Sequence, residues 1–141
     1  MNDVFALLEN NKLSRTPCRI DILKTLFDAG SALSEAEIRE RIDPGFDRTT
    51  VYRTLRNFLT QDVIHSIALD NGEVRYALTH SRNKNSKNKN HVHFYCTQCS
   101  NVYCLSHQNI NLPDLPEGFQ SINYDLLIHG KCKHCNKDSI S

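Results

Sequence analysis

The chain has 141 residues, 39% of them hydrophobic and 23% charged, a balance that supports a folded core and excludes a broadly disordered protein. Its formal net charge of +1 does not by itself point to any class of partner. No apolar run approaches the ~18 residues of a membrane span, and the start of the sequence lacks the pattern of a signal peptide. We therefore expect a cytoplasmic protein without membrane contact.

Four helices are predicted in the first half of the chain, and local capping chemistry sets their boundaries. An apolar run beginning at Val4 predicts the first. Thr16-Pro17 starts the second, since a cap followed by proline suits a helix N-terminus, and Gly30 stops it. Ser34-Glu35-Ala36-Glu37 is a capping box for the third helix, and Asp47 can cap the fourth. The fourth helix has an apolar stripe of Val51, Leu55, Phe58 and Leu59.

A β-hairpin is predicted directly after these helices. Val63–Leu69 and Glu73–Thr79 read as strands, and Asn71-Gly72 between them is a strong turn signal. Helices followed by a hairpin indicate a winged helix-turn-helix, so we predict a DNA-binding domain over 1–79. Residues 80–90 include a basic, polar stretch without apolar residues, which predicts a linker.

The last part of the chain, 91–141, is predicted to be a second, smaller α/β domain, which makes the fold class α+β. Strand-like pieces occur at Val92–Tyr95, Asn101–Cys104, Phe119–Ile122 and Tyr124–Ile128. Pro113, Pro116 and Gly118 interrupt the stretch between them.

Four of the six cysteines form two Cys-x-x-Cys pairs, Cys96/Cys99 and Cys132/Cys135. This spacing lets both thiolates of a pair reach one ion, and two pairs complete the tetrahedral site of structural zinc. The alternative is two buried or redox-active pairs. A thioredoxin-like pair needs a βαβ context, which the pattern around these cysteines does not supply.

The predicted fourth helix carries a candidate nucleic-acid surface. Between Arg48 and Phe58 there are three arginines and no acidic residue. Thr49, Tyr52, Arg53 and Arg56 lie opposite the apolar stripe, and arginine can bind guanine with two hydrogen bonds. Arg15 and Arg19, near the start of the second helix, are candidates for backbone or minor-groove contacts. The alternative is an ordinary solvated helix face, and the hairpin that follows favours DNA.

These motifs together resemble the ferric uptake regulator family over nearly the whole chain. Leu13-Ser14-Arg15-Thr16-Pro17 is similar to the family's opening helix, and Leu33–Ile38 to its capping-box helix. Thr50-Val51-Tyr52-Arg53-Thr54-Leu55 is similar to its recognition-helix signature, which adds Thr50 to the candidate DNA contacts. His91-x-His93-x-x-Cys96-x-x-Cys99 and Gly130-x-Cys132-x-x-Cys135 complete the order.

The resemblance implies a homodimer whose winged helices bind a palindromic operator and whose C-terminal domain dimerises and holds metal. It also implies a sensing ion between the domains that favours the DNA-binding arrangement. The chain departs from the family where Ala32, Ala77 and Tyr124 stand at positions that commonly carry metal ligands. Ligand sets for iron or manganese are therefore incomplete.

A different set of candidate sensing ligands remains. His91 and His93 are two residues apart on a predicted strand, so both imidazoles can reach one ion. His65 stands where the zinc-sensing branch of the family has a ligand, and His80 is a substitute for a cysteine that this branch often has one residue earlier. Cys104 replaces a carboxylate, and a thiolate favours zinc over ferrous iron or manganese. The alternatives are surface histidines and a small buried cysteine.

We therefore predict a metal-responsive repressor that senses zinc. It is expected to bind one structural and one regulatory Zn²⁺ per chain, double-stranded operator DNA and a second copy of itself, with no small-molecule substrate. An iron-responsive repressor and a thiol- or peroxide-sensing repressor, using Cys18 or Cys104, remain alternatives of the same fold. A zinc enzyme is disfavoured because no His-x-Glu or His-Glu-x-x-His motif occurs.

Overall fold

The computed structural model describes residues 2–79, 91–105, 112–122 and 124–136. The chain divides into two compact units, Met1–Thr79 and His80–Ser141, called the first and second unit below. The linker predicted at 80–90 lies outside the described residues. In the described part of the chain, every helix is too short or too polar to cross a lipid bilayer.

The first unit contains the four predicted helices: α1 Asn2–Asn10, α2 Pro17–Ala29, α3 Glu35–Arg41 and α4 Arg48–Thr60. Their ends follow the capping chemistry of the sequence. The Thr16 hydroxyl accepts the backbone N–H of Arg19, and Gly30 ends α2 in the left-handed conformation with φ 67°. Ser34 forms the complete capping box of α3, and the Asp47 carboxylate accepts the backbone N–H of Thr50 at 2.6 Å.

The core of the first unit is built from one apolar face of each helix. Leu8, Ile22, Leu23 and Ile38 are fully buried, and Phe58 from α4 is buried among them. Because α4 places its apolar stripe in this core, its opposite face is left for solvent or a partner.

The predicted hairpin forms a two-stranded antiparallel wing, β1 Ile64–Ala68 and β2 Val74–Leu78. The turn depends on Gly72, whose φ of 87° strongly favours glycine. Leu33 and Tyr76 exchange two backbone hydrogen bonds of 2.9 and 2.7 Å, which join the wing to the segment before α3. Arg75 of β2 is buried and forms ion pairs with Glu73 and with Glu37 of α3, which fixes the wing against the helices.

The second unit contains a three-stranded sheet in the order β4-β3-β5, with β3 His91–Cys96, β4 Val102–Cys104 and β5 Asp125–Gly130. β3 pairs antiparallel with β4 and parallel with β5. Within the three ranges of this unit that the structure describes, no residue is helical. Helices in the first unit and sheets in both confirm the α+β class.

One predicted strand is wrong. Phe119–Ile122 pairs with no strand in the described part of the chain, and Phe119 and Ile122 are 69% and 87% exposed. Pro113 and Pro116 precede the segment, and the Phe119 N–H donates to the Pro116 carbonyl in a tight turn. A short apolar run supplies strand propensity but no partner strand, and the prolines before it remove donors and bend the chain.

Candidate metal centres and nucleic-acid interface

The two Cys-x-x-Cys pairs come together because β3 and β5 are parallel. Their register aligns Cys96 with Gly130, so both strands end at the same edge of the sheet. Cys96 is the last residue of β3 and Cys99 lies in the turn that follows, while Cys132 and Cys135 lie in the segment after β5. The four Sγ atoms all lie within 4.8 Å of one another, and those of Cys99 and Cys132 are 3.8 Å apart.

This spacing fits a tetrathiolate metal ion. A tetrahedral zinc site with Zn–S bonds of about 2.3 Å separates its sulfur atoms by about 3.8 Å. The backbone N–H groups of Cys99 and Cys132 donate to the Cys96 sulfur at 3.5 and 3.4 Å. These two donors lower the pKa of Cys96 to about 6.

The opposite shift occurs at Cys135, where the hydrogen bond to Cys132 raises the pKa to about 12. Four thiols packed this closely resist carrying four negative charges together. A bound dication removes that conflict, since metal binding requires the deprotonated ligands. The donor set and its electrostatics therefore both suit a metal ion.

Two further side chains that could bind a metal ion lie along the same sheet. His93 on β3 and Cys104 on β4 stand directly opposite each other in the antiparallel register. Such cross-strand neighbours place their side chains on one face of the sheet. Their donor atoms lie within 4.8 Å of each other, and His93 is only 5% exposed. Cys104 is partly buried, and a neighbouring nitrogen and sulfur donor can contribute two ligands to one ion.

The remaining predicted sensing residues are distributed over the two units. His91 begins β3, in register with Asp125 of β5. His65 lies on β1 of the wing, half-buried and in register with Ala77. His80 lies outside the described residues. Within the second unit the structure thus brings His93 and Cys104 together.

The candidate DNA-contacting face of α4 is exposed. Val51, Leu55 and Phe58 are buried in the core, which turns the other side of the helix outward. The outward side chains are those of Thr49, Thr50, Tyr52, Arg53 and Arg56, all exposed. They combine hydroxyls, one aromatic ring and two guanidinium groups on one surface, as phosphate and base contacts require.

The two arginines near the start of α2 are held by local contacts. The Arg15 guanidinium lies 4.4 Å from the centre of the Phe5 ring of α1. Arg19 donates from Nη1 to the carbonyl and the hydroxyl of Ser14, at 3.1 and 2.8 Å. Both guanidinium groups are therefore oriented before any partner binds.

Comparison with known proteins decides the family. The ferric uptake regulator family profile matches residues 10–129. The chain belongs to the ferric uptake regulator family. This regulator is also 26% identical over 142 residues to a ferric uptake regulation protein of Staphylococcus epidermidis, a match that covers 98% of each chain.

Solved structures share the fold of this regulator. A zinc uptake regulator complexed with zinc and DNA has a TM-score of 0.64 at 20% identity, over 99% of this chain and 95% of that one. A zinc-bound manganese uptake regulator has a TM-score of 0.63 at 19% identity, over 92% and 98%. An iron-containing ferric uptake regulator of Francisella tularensis has a TM-score of 0.60 at 24% identity, over 89% and 96%.

Membership of this family makes the chain a metal-responsive, DNA-binding transcription regulator and not an enzyme. Two positions at which this sequence lacks a metal ligand common in the family can be located in the structure. Ala32 is buried at 2% exposure and Ala77 is partly buried on β2, and a methyl group offers no ligand atom at either position.

Sequence reasoning did not place Tyr76 of the wing near α4. Burial raises the pKa of the Tyr76 hydroxyl, with smaller contributions from Glu35 and Tyr52 that raise it and from Arg56 that lowers it. Tyr76 on the wing is therefore within electrostatic reach of the exposed face of α4. Strand alternation in the sequence gives no sign of this neighbourhood, which arises because the wing packs back on the helices.

Proposed function

We propose that this regulator is a zinc-responsive repressor that binds operator DNA as a homodimer in the cytoplasm. The observation that carries the choice of zinc is the pairing of buried His93 with partly buried Cys104, which offers nitrogen and sulfur donors in place of oxygen donors. Thiolate and imidazole ligands suit zinc, whereas carboxylates suit manganese and related harder ions.

The first proposed zinc is structural and held by Cys96, Cys99, Cys132 and Cys135. When bound, it supplies a closed cross-link between the ends of β3 and β5. The sulfur spacing and the backbone N–H groups directed at Cys96 support this assignment. A small sheet with few buried side chains gains most of its stability from such a cross-link.

The second proposed zinc is regulatory and held by His93 and Cys104 together with His91. His65 of the wing, or else His80, is assigned as the fourth ligand on the sequence resemblance. A ligand set drawn from both units would restrict their relative orientation when zinc is bound. Operators with half-sites one helical turn apart tolerate little error in the spacing of two recognition helices, so zinc and DNA binding would be coupled.

The proposed DNA contacts are those of α4 in the major groove. Arg53 and Arg56 are assigned to guanine or phosphate, and Thr49, Thr50 and Tyr52 to phosphate or thymine methyl groups. Arg15 and Arg19 are assigned to the backbone or the minor groove. The exposure of the α4 face and the shared fold with a zinc uptake regulator complexed with DNA support this assignment.

Iron sensing is the second candidate, because the matching Staphylococcus epidermidis relatives are named ferric uptake regulation proteins. Thiol sensing at Cys18 is less favourable. Cys18 is 4% exposed, and burial raises its pKa, which keeps the thiol protonated and slow to react.

The test is operator affinity measured against buffered free zinc, ferrous iron and manganese, with the tetrathiolate site kept filled. Wild-type protein should respond to zinc at the lowest free concentration. His93→Ala and His65→Ala should lose the response, whereas the exposed His129→Ala should keep it. Cys104→Asp, which restores a carboxylate, should shift the preference toward ferrous iron or manganese. A wild-type zinc response in His93→Ala, or a stronger response of the wild type to iron, would overturn the proposal.

A further inference from the structure

A small cavity lies at the turn between α3 and α4 of the first unit. Its volume is about 250 Å³. Arg39 of α3 and Arg48 of α4 contribute its two positive groups, while Phe46 and Pro44 belong to its less polar wall. The cavity is thus both cationic and partly apolar.

The two guanidinium groups have no carboxylate partner within the ranges that the structure describes. The Arg39 Nε is shielded from solvent and finds no hydrogen-bond acceptor among those residues. A charged donor that is shielded from solvent without an acceptor destabilises the fold, so an anion whose oxygen reached it would remove that cost. Guanidinium groups bind phosphate oxygens with paired hydrogen bonds, and both arginines line this cavity.

Asp43 also lines the cavity, and its carboxylate keeps its negative charge while it accepts a local hydrogen bond. Asp43 Oδ1 accepts the backbone N–H of Gly45 at 2.8 Å, and the Asp43 N–H donates to Asp21 at 3.1 Å. These bonds hold the turn in shape. Arg39 and Arg48 outweigh the single negative charge of Asp43, so the cavity lining keeps a net positive charge.

We propose that this cavity binds one backbone phosphate of the operator, with the adjoining deoxyribose against Phe46 and Pro44. In a helix-turn-helix the helix before the recognition helix crosses the DNA backbone, and the first turn of the recognition helix enters the groove. Arg39 and Arg48 stand on these two elements. Small-molecule sites usually have about 300–1,000 Å³, so this smaller volume favours one phosphate and its sugar.

The inference rests on the DNA binding proposed above, and the dependence of affinity on salt tests it. Each neutralised phosphate contributes about −0.9 to the slope of log affinity against log salt. The double variant Arg39→Gln/Arg48→Gln should make the slope shallower by about 0.9, because both arginines hold the same phosphate. The slope of each single variant should lie between the slopes of the double variant and the wild type. The same change in slope is expected on operator DNA and on unrelated DNA.

Arg41→Gln is the matched control. Arg41 is exposed at the end of α3 and does not line the cavity, so its loss should leave the slope unchanged. Thermal melting of each variant shows whether it remains folded. Arg48→Gln is the variant less expected to disturb the fold, because Arg48 is exposed. The assignment would be overturned by an unchanged slope in the double variant. It would also be overturned by a change of about 1.8 in that variant, which corresponds to two phosphates, or by an equal effect of Arg41→Gln.

A neutral methylphosphonate placed at successive operator positions identifies the phosphate itself. At one position it should weaken wild-type binding and have no effect on the double variant. Inorganic phosphate at constant ionic strength, monitored by the Arg39 Nε–H resonance without DNA, should give no saturating shift. A saturating shift would assign the cavity to a free anion instead. If the wild type binds no operator in any metal state, the proposed function fails, whereas an unaltered slope with intact binding refutes only the cavity assignment.

Discussion

Replacing Cys132 by serine is expected to unfold the second unit, not simply to weaken its affinity for metal. Cys132 is 6% exposed, its sulfur lies 3.8 Å from that of Cys99, and its backbone N–H donates to the Cys96 sulfur. Serine keeps the size of the side chain but removes the thiolate, since a hydroxyl does not ionise near neutral pH. The substitution therefore removes one of four ligands with little change in packing.

The size of the effect follows from how little else holds this unit together. Among its described residues, Val92 and Val102 are the buried apolar side chains other than cysteine. Burying them contributes roughly 3–6 kcal/mol at about 1.5–3 kcal/mol each. Structural zinc contributes about 10–16 kcal/mol in small metal-dependent domains. Loss of the metal therefore removes more stabilisation than the apolar core of the unit can supply.

The assay combines zinc content per chain with amide resonances that report on each unit separately. In Cys132→Ser, the signals of Met1–Thr79 should stay dispersed while those of the second unit collapse. Cys104→Ser is the matched control and should retain about one tightly held zinc and a folded second unit. A folded second unit in Cys132→Ser that contains no zinc would refute the reasoning.

Other perturbations test the remaining assignments. Arg53→Ala should weaken operator binding by about 1–3 kcal/mol if it contacts guanine, as measured by fluorescence anisotropy. His93→Ala should abolish the zinc dependence of that binding while metal analysis still finds the tetrathiolate zinc. Phe5→Leu should weaken binding by about 0.5–1 kcal/mol through the loss of the ring beneath Arg15, and it should have no further effect in an Arg15→Ala background. Gly72→Ala should destabilise the first unit by about 1–2 kcal/mol in urea melts, because its φ is 87°.

Local chemistry made much of the first unit predictable from sequence. The caps at Thr16, Ser34 and Asp47 each accept a backbone N–H three residues further along the chain. The starts of these helices are therefore set by residues that are close together in the sequence. The wing turn is equally local, because Gly72 alone supplies the positive φ. The exposed face of α4 follows from helical periodicity once its apolar stripe is assigned to the core.

Tertiary structure decided the features that depend on residues far apart in the chain. The Cys-x-x-Cys spacing in the sequence predicted the four metal ligands. The parallel register of β3 and β5 brings the two pairs together. The same packing set His93 opposite Cys104, a neighbour relation that no local pattern specifies. Phe119–Ile122 had the composition of a strand and no strand to pair with. Sequence thus determined the local conformations and the inventory of ligands, whereas strand pairing, which depends on contacts between distant segments, decided which of those ligands meet.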